Sequence, residues 1–145
     1  MEVIFKSLEL TDLKSTIDLC NLCFDEQTDY EYAEKVFLET RNDPNNVYIN
    51  AVCNGKVIAH LKLTIIRTIY KPMATYGILN HVCVHPDYRR HHLGTHILDA
   101  AFKVAKDYGC VAIELWSKNF RTAAHACYKK YGFKLVDAGF FEREV

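Results

Sequence analysis

Two long β-rich runs meet at Asn54-Gly55, and this junction restricts the fold of the chain more than any other feature. The runs, Val47 to Cys53 and Val57 to Ile66, are rich in β-branched and aromatic residues. Asn-Gly between two such runs is a strong β-hairpin signal, because both residues tolerate positive φ. The centre of the chain is therefore predicted to be a pair of antiparallel strands.

Helices and further strands are predicted on both sides of this hairpin. A short strand, Val3-Ile4-Phe5, precedes a helix that begins near Thr11 or Asp12 and continues to Phe24, and a second helix follows from Asp29 to Arg41. The later elements are a strand from Thr75 to Val84, a helix from Leu93 to Tyr108, a strand from Val111 to Trp116, a helix from Thr122 to Tyr131, and two short strands, Phe133 to Val136 and Gly139 to Arg143. This order predicts a mixed α/β fold. Without a Pro/Gly/Ser-rich linker, the 145 residues form one predicted domain, 1–145.

Charge and composition exclude several classes of protein. The 18 basic and 18 acidic residues cancel, which argues against a general nucleic-acid-binding protein. No run approaches the ~20 apolar residues of a membrane span, and the first residues lack the pattern of an export signal. The six cysteines lie mostly in apolar runs, and Cys20-x-x-Cys23 has no second pair with which to bind zinc. We therefore expect a cytoplasmic protein that has neither nucleic acid nor membrane as a partner.

The segment from Val82 to Thr95 joins a strand to a helix through a turn with two adjacent arginines, Arg89 and Arg90. Free N–H groups and the positive end of the dipole make a helix N-terminus an anion site, and phosphate is a natural occupant. Arginines on a solvated turn are common, so this pattern alone is a weak signal.

Two segments carry a resemblance to a known family. The stretch Val84-His85-Pro86-Asp87-Tyr88-Arg89-Arg90-His91-His92-Leu93-Gly94 resembles V-x-P-x-Y-R-x-x-G-x-G/A, the acetyl-CoA-binding motif of the GNAT superfamily of N-acetyltransferases. Ala124 to Phe133 is similar to that family's A-x-x-x-Y-x-x-x-G-F signature. The order of elements also matches. The resemblance therefore implies a single-domain GNAT fold, with a mixed, mostly antiparallel central sheet flanked by helices, and acetyl-CoA as cosubstrate.

The resemblance further implies a cofactor site made largely of backbone groups. The backbone amides and carbonyls of this strand, at Val82, Cys83 and Val84, would pair with the pantetheine arm. They would be unpaired in the protein if the strand edge splays from its neighbour. The pyrophosphate would be held by the backbone amides of Arg90, His91, His92, Leu93, Gly94 and Thr95, with the cofactor-binding Arg89 beside this loop. His92 stands where the motif has its first glycine, and a side chain there would narrow the loop. Arg121 takes the usual place of a cofactor-binding Asn, so Asn119 is the expected substitute.

Amine acetylation requires deprotonation of the amine and a proton for the departing thiolate. Tyr128 matches the family's acid position. The family often has a Glu on the strand that carries Val84, but this chain has Asn80 and His81 there. His81 could be the base, because imidazole has a pKa of about 6.5, or Asn80 could hold a water that relays the proton. Each side chain also has a non-catalytic alternative. Tyr128 could simply pack its ring in the core, and His81 could be a strand residue with a satisfied hydrogen bond.

The stretch Arg121-Thr122-Ala123-Ala124-His125 resembles the R-x-x-A-H variant of aminoalkylphosphonate N-acetyltransferases. By that resemblance, Arg121 and His125 would bind a phosphonate or phosphate group. Glucosamine-6-phosphate N-acetyltransferases share the motif order, so the predicted substrate is a small primary amine that carries a phosphorus oxyanion. Two alternatives stay open: a protein or peptide acetyltransferase, which the acidic segment Asp25 to Glu31 would suit, and a non-catalytic acyl-CoA-binding module.

Four histidines near the turn, His85, His91, His92 and His96, raise the question of a metal site. His92 and His96 are one helical turn apart, but neither Asp87 nor Asp99 has a suitable spacing to complete a ligand set. We therefore expect no metal. The predicted C-terminal strand from Gly139 to Arg143 could support a homodimer.

Overall fold

A computed structural model describes residues 1–145 and contains one five-stranded sheet. The strands are β1 (Ile4–Ser7), β2 (Asn46–Cys53), β3 (Lys56–Arg67), β4 (Thr75–Val84) and β5 (Ile113–Leu115). The helices are α1 (Leu13–Phe24), α2 (Tyr30–Thr40), α3 (Leu93–Asp107) and α4 (Thr122–Tyr131), with 3-10 turns at Leu10–Asp12, Lys71–Met73 and Pro86–Tyr88. No helix has both the length and the apolar character to cross a membrane.

The strands lie side by side in chain order, antiparallel from β1 to β4 and parallel between β4 and β5. This confirms the predicted mixed α/β fold. At the β2–β3 turn, φ is 50° at Asn54 and 76° at Gly55, as two-residue hairpin turns of this kind require. The predicted hairpin is therefore also confirmed.

The sheet buries apolar side chains on both faces. On one face, Ile97, Leu98 and Ala101 of α3 are fully buried in a cluster with β3 residues such as Leu61 and Leu63. A second cluster joins Leu19 and Cys20 of α1 to Val52, Val57 and Cys83. Helices α3 and α1 therefore hold β4, the strand that borders the functional site, from different sides.

A buried polar chain links α1 to β2 and β3 beside the second cluster. Thr16 Oγ1 donates to the Asp12 carbonyl at 2.9 Å, and Asn50 Nδ2 donates to Thr16 Oγ1 at 3.0 Å. His60 Nδ1 lies 2.7 Å from Asn50 Oδ1. Burial, with a smaller contribution from His81, lowers the pKa of His60 to about 3. The ring is therefore neutral, and its Nδ1–H donates to Asn50.

The predictions for the chain ends need correction. The first strand is Ile4–Ser7 rather than Val3 to Phe5, and β5 is shorter than Val111 to Trp116. The strands predicted at Phe133 to Val136 and Gly139 to Arg143 are absent. Leu135, Val136, Phe140 and Phe141 are all exposed. The apolar pairs Leu135-Val136 and Phe140-Phe141 resemble strand sequence, but a strand also needs a neighbour, which propensity does not provide. The dimer through this segment stays a prediction.

Candidate active site

A cleft opens where β5 stops pairing with β4. β5 pairs only with Gly77, Ile78 and Leu79, whereas β4 continues to Val84. The splayed edge expected from the sequence is therefore present. A cavity of about 650 Å³ follows this edge between the starts of α3 and α4. Its lining includes the predicted acid, Tyr128, and most of the predicted cofactor and substrate residues: Val82, Cys83, Val84, Arg89, Arg90, His92, Leu93, Gly94, Thr95 and Arg121.

The loop before α3 has two left-handed residues, Arg90 with φ of 70° and His92 with φ of 59°. This turns the backbone so that α3 begins at Leu93 and the His92 carbonyl accepts the His96 N–H at 3.0 Å. The first N–H groups of a helix have no partner within the helix and attract anions. The loop therefore fits a diphosphate, and the left-handed backbone explains why the motif has glycine at position 92.

Two side chains of the cleft wall donate hydrogen bonds to the carbonyl oxygen of Val84. Arg89 Nε donates to this oxygen at 3.2 Å, and the Cys23 thiol donates to it at 3.6 Å. A pantetheine amide that pairs with Val84 would take the place of these donors. The strand edge is therefore suited to hydrogen bonding with an amide-bearing arm, which would contact Arg89 and Cys23.

His81 lies at an irregularity in β4, where the β3–β4 register shifts between His60 and Lys62. Its φ is 52°, in the left-handed region. Its Nε2 lies 2.9 Å from Glu26 Oε1 and 3.2 Å from Oε2, and its ring contacts Phe24 with a centroid distance of 4.9 Å. A non-glycine residue held in this conformation is uncommon and is concentrated at functional sites.

Sequence reasoning missed Glu26. The acidic segment that contains it was visible, but no pattern connects positions 26 and 81. A carboxylate only accepts hydrogen bonds, so Nε2 of His81 donates to Glu26, and in the neutral imidazole Nδ1 is then the acceptor. Asn80, the other predicted base residue, is exposed on β4 and pairs with Lys62 across the sheet.

Tyr128 lies on α4 and lines the cleft. Its ring packs against Phe133 with a centroid distance of 5.8 Å. Burial, followed by the neighbouring Cys127, raises the pKa of Tyr128 to about 12. The phenol is therefore protonated at neutral pH and can donate a hydrogen bond into the cleft.

Arg121 joins the start of α4 to the end of α1. Its Nη2 donates to the Cys23 carbonyl at 3.1 Å, and its guanidinium carbon lies 4.3 Å from the centroid of the Phe24 ring. His125 lies outside the cleft lining and donates from Nε2 to the Ser117 carbonyl at 3.2 Å. Asn119 is exposed and, like His91, is outside the lining. The structure therefore brings Arg121 to the cleft but not the other three side chains.

The sheet splays beside β4, and the N-terminus of α3 lies at the opening, which is the arrangement that the resemblance implied for an acetyl-CoA site. Residues 13–133 match the model of the Acetyltransferase (GNAT) family. The chain therefore belongs to this family and is an acetyl-CoA-dependent N-acetyltransferase. No curated protein matches the sequence significantly.

Solved structures show the same fold at low sequence identity. A transcriptional regulator from Bacillus halodurans C-125 is 21% identical, with a TM-score of 0.90 over 99% of this chain and 100% of that chain. A glucosamine-6-phosphate N-acetyltransferase from Arabidopsis thaliana is 19% identical, with a TM-score of 0.85 over 99% of each chain. The aminoglycoside N-acetyltransferase AAC(6')-Iy in complex with CoA is 14% identical, with a TM-score of 0.86 over 99% of this chain and 95% of that chain. At these identities the likeness supports the fold and leaves the substrate open.

Proposed function

We propose that this enzyme acetylates a small primary amine that carries a phosphate or phosphonate group, with His81 as general base and with Tyr128, at the general-acid position, as hydrogen-bond donor to the departing thiolate. The observation that carries the proposal is the His81–Glu26 pair, 2.9 Å apart, at the residue immediately before the cleft-lining Val82. Neither side chain is in the cleft lining itself, but the pair supports an oriented imidazole next to the strand edge where the family binds its thioester.

The base must remove a proton from an alkylammonium, whose ordinary pKa is about 10.4. With Nε2 donating to Glu26, Nδ1 of His81 is free to accept that proton. Glu26 then stabilises the imidazolium that forms. Acetyl-CoA supplies the electrophilic thioester carbon when bound.

Tyr128 assists the departing thiolate. A thiol has an ordinary pKa of about 8.5, below the value of about 12 to which burial raises the Tyr128 pKa. Complete transfer of the phenolic proton is therefore uphill. Tyr128 stabilises the thiolate mainly by donating a hydrogen bond, and solvent completes the protonation.

Arg121 is the proposed contact for the anionic group of the substrate. One of its nitrogens is held by the Cys23 carbonyl, and the other guanidinium N–H groups are available for a phosphorus oxyanion. The Arabidopsis structure with the same fold is named for glucosamine 6-phosphate, an amine of this class. His125 is engaged elsewhere, so the proposal depends on Arg121 for this contact.

A thiol-release assay with acetyl-CoA tests the proposal against four acceptor classes: aminoalkylphosphonates, glucosamine 6-phosphate, polyamines and basic peptides. We expect the highest kcat/KM with an amine that carries phosphorus. Arg121→Gln should raise KM for those amines much more than for polyamines.

Two results would overturn the proposal. Turnover with basic peptides alone would identify a peptide acetyltransferase. Acetyl-CoA binding without turnover of any amine, and unchanged in Tyr128→Phe, would identify a non-catalytic binding module.

A further inference from the structure

Three thiols, Cys20, Cys23 and Cys83, come together beside the cleft, and the mechanism above uses none of them. Cys20 and Cys83 are buried in the cluster between α1 and the sheet, and Cys23 packs against this cluster while also lining the cleft. All three are free thiols. Cys83 also borders the cleft but is buried, whereas Cys23 is partly exposed, so Cys23 is the most accessible thiol of the group.

The surroundings of Cys23 favour its thiolate. A hydrogen bond from Cys83, then the guanidinium groups of Arg89 and Arg121, lower the pKa of Cys23 to about 7. Hydrogen bonding to Cys20 and Cys23 and burial raise the pKa of Cys83, which stays protonated as the donor. As a thiol, Cys23 donates to the Val84 carbonyl. The lowered pKa makes it easier to form the thiolate, which is the nucleophile in disulfide exchange.

The position of Cys23 matches the route of the cofactor arm. Its Sγ lies 3.6 Å from the Val84 carbonyl oxygen, on the strand edge that the family offers to pantetheine. The diphosphate of a CoA-derived ligand would be held at Arg90 to Thr95, so its sulfur-bearing arm would run towards Cys23. A CoA derivative bound in the cleft would therefore bring its own sulfur atom close to Cys23.

We propose that Cys23 is a modification site that forms a mixed disulfide with CoA by exchange with CoA disulfide. The Cys23 thiolate attacks one sulfur of the disulfide, a Cys23–S–S–CoA bond forms, and the S–S bond of the reagent breaks to release one CoA thiolate. The exchange needs no other oxidant. This inference depends on CoA binding in the cleft. The adduct would occupy the acetyl-CoA site and inhibit the enzyme until a thiol reductant removes it.

Intact-protein and peptide mass spectrometry after incubation with CoA disulfide at pH 7 tests the proposal. We expect one CoA per chain, on Cys23, removed by dithiothreitol and prevented by acetyl-CoA. Cys23→Ser should lose the adduct. Cys110→Ser is the matched control, because Cys110 is a partly buried thiol outside the cleft, and it should be labelled like the parent protein. Glutathione disulfide, which lacks the diphosphate, should react on the order of tenfold more slowly because the cleft does not concentrate it.

The pH dependence gives a second measurement that needs no variant. Alkylation of Cys23 by iodoacetamide should reach half its maximum rate near pH 7, and a midpoint at or above the ordinary pKa of about 8.5 would contradict the proposal. Equal rates with both disulfides, or labelling mainly at another cysteine, would also overturn it. Calorimetry with acetyl-CoA separates the two hypotheses. Binding without Cys23 labelling refutes only the thiol site, whereas absence of binding refutes the cofactor assignment as well.

Discussion

His92 has a backbone conformation that suits glycine better than histidine. Its φ of 59° is left-handed, and this conformation is about 1–2 kcal/mol less favourable for a residue with a Cβ. The residue nevertheless ends the loop that turns into α3. The departure from the family motif at position 92 therefore changes the side chain while preserving the backbone turn.

His92→Gly is predicted to stabilise the protein slightly and to tighten CoA binding. Glycine removes the left-handed strain of about 1–2 kcal/mol. This gain is larger than the extra conformational entropy that glycine loses on folding, which costs about 0.5–1 kcal/mol. We expect Tm to rise by about 1–2 °C and the Kd for CoA to fall. Thermal unfolding and calorimetry measure both.

His91→Gly is the matched control, because position 91 has no positive φ. It should lower Tm through the entropy loss alone. If both variants lower Tm equally, strain at position 92 is excluded.

Glu26→Gln is predicted to lower kcat by at least about tenfold, with little change in the KM for acetyl-CoA. The amide keeps the size of the side chain but cannot stabilise an imidazolium. Glu26 acts through His81, so the loss in the double variant with His81→Gln should be far below the sum of the two single losses.

Glu31→Gln controls for the loss of one acidic residue, since Glu31 is exposed on the neighbouring helix α2. Its kcat should equal that of the parent enzyme. Additive losses at Glu26 and His81, or equal effects at Glu26 and Glu31, would exclude a positioning role.

At the scale of elements, the polar chain from Thr16 through Asn50 to His60 ties α1 to β2 and β3. Its terminal donor is a neutral imidazole with its pKa lowered to about 3 by burial and by His81. The unfolded chain, in contrast, binds a proton at an ordinary histidine pKa of about 6.5. Acid therefore favours the unfolded state.

The free energy of unfolding is predicted to fall with acid in a defined window. The contribution of His60 is fully present above about pH 6.5 and is lost as the pH falls towards about 3, by about 1.4 kcal/mol per unit. His60→Gln should remove this slope, because its amide can donate to Asn50 without titrating. Urea unfolding at pH 7, 6 and 5 measures the slope.

The exposed His96 provides the control. His96→Gln should keep the slope of the parent protein. An unchanged slope in His60→Gln would show that other groups cause the acid sensitivity.

The elements show which features a sequence can predict. The Asn54-Gly55 turn, the ends of α4 and the extent of β4 depend on local backbone preferences, and the sequence predicts them well. The His81–Glu26 and Arg121–Cys23 contacts connect residues 55 and 98 positions apart, and no local pattern records such pairs. The false C-terminal strands show the reverse case, because β propensity was present at Phe140 and Phe141 but a paired neighbour was not.

At the scale of the whole molecule, a formal net charge of zero coexists with a cationic cleft. Arg89, Arg90 and Arg121 all line it. Attraction of an anionic ligand therefore arises from local charges and not from the net charge, and salt should screen it over short distances.

CoA binding is accordingly predicted to weaken severalfold between 0.1 and 1 M salt, as the screening length falls from about 10 to about 3 Å. Pantetheine, which lacks the phosphates, should bind with little dependence on salt. Titration calorimetry at both salt concentrations compares the two ligands. Equal salt dependence for both would show that the arginines do not attract the phosphates.

The parallel pairing of β4 with β5 also sets an order of folding. The β2–β3 hairpin closes around a two-residue turn, an event that takes about 1–10 μs. Pairing of Leu79 with Leu115 must wait for the intervening chain, including α3, to cross over the sheet. Because the cleft exists only where β5 departs from β4, we expect it to be among the last features to form. During refolding, we therefore expect acetyl-CoA binding to recover when the fold is complete and not when the chain first becomes compact.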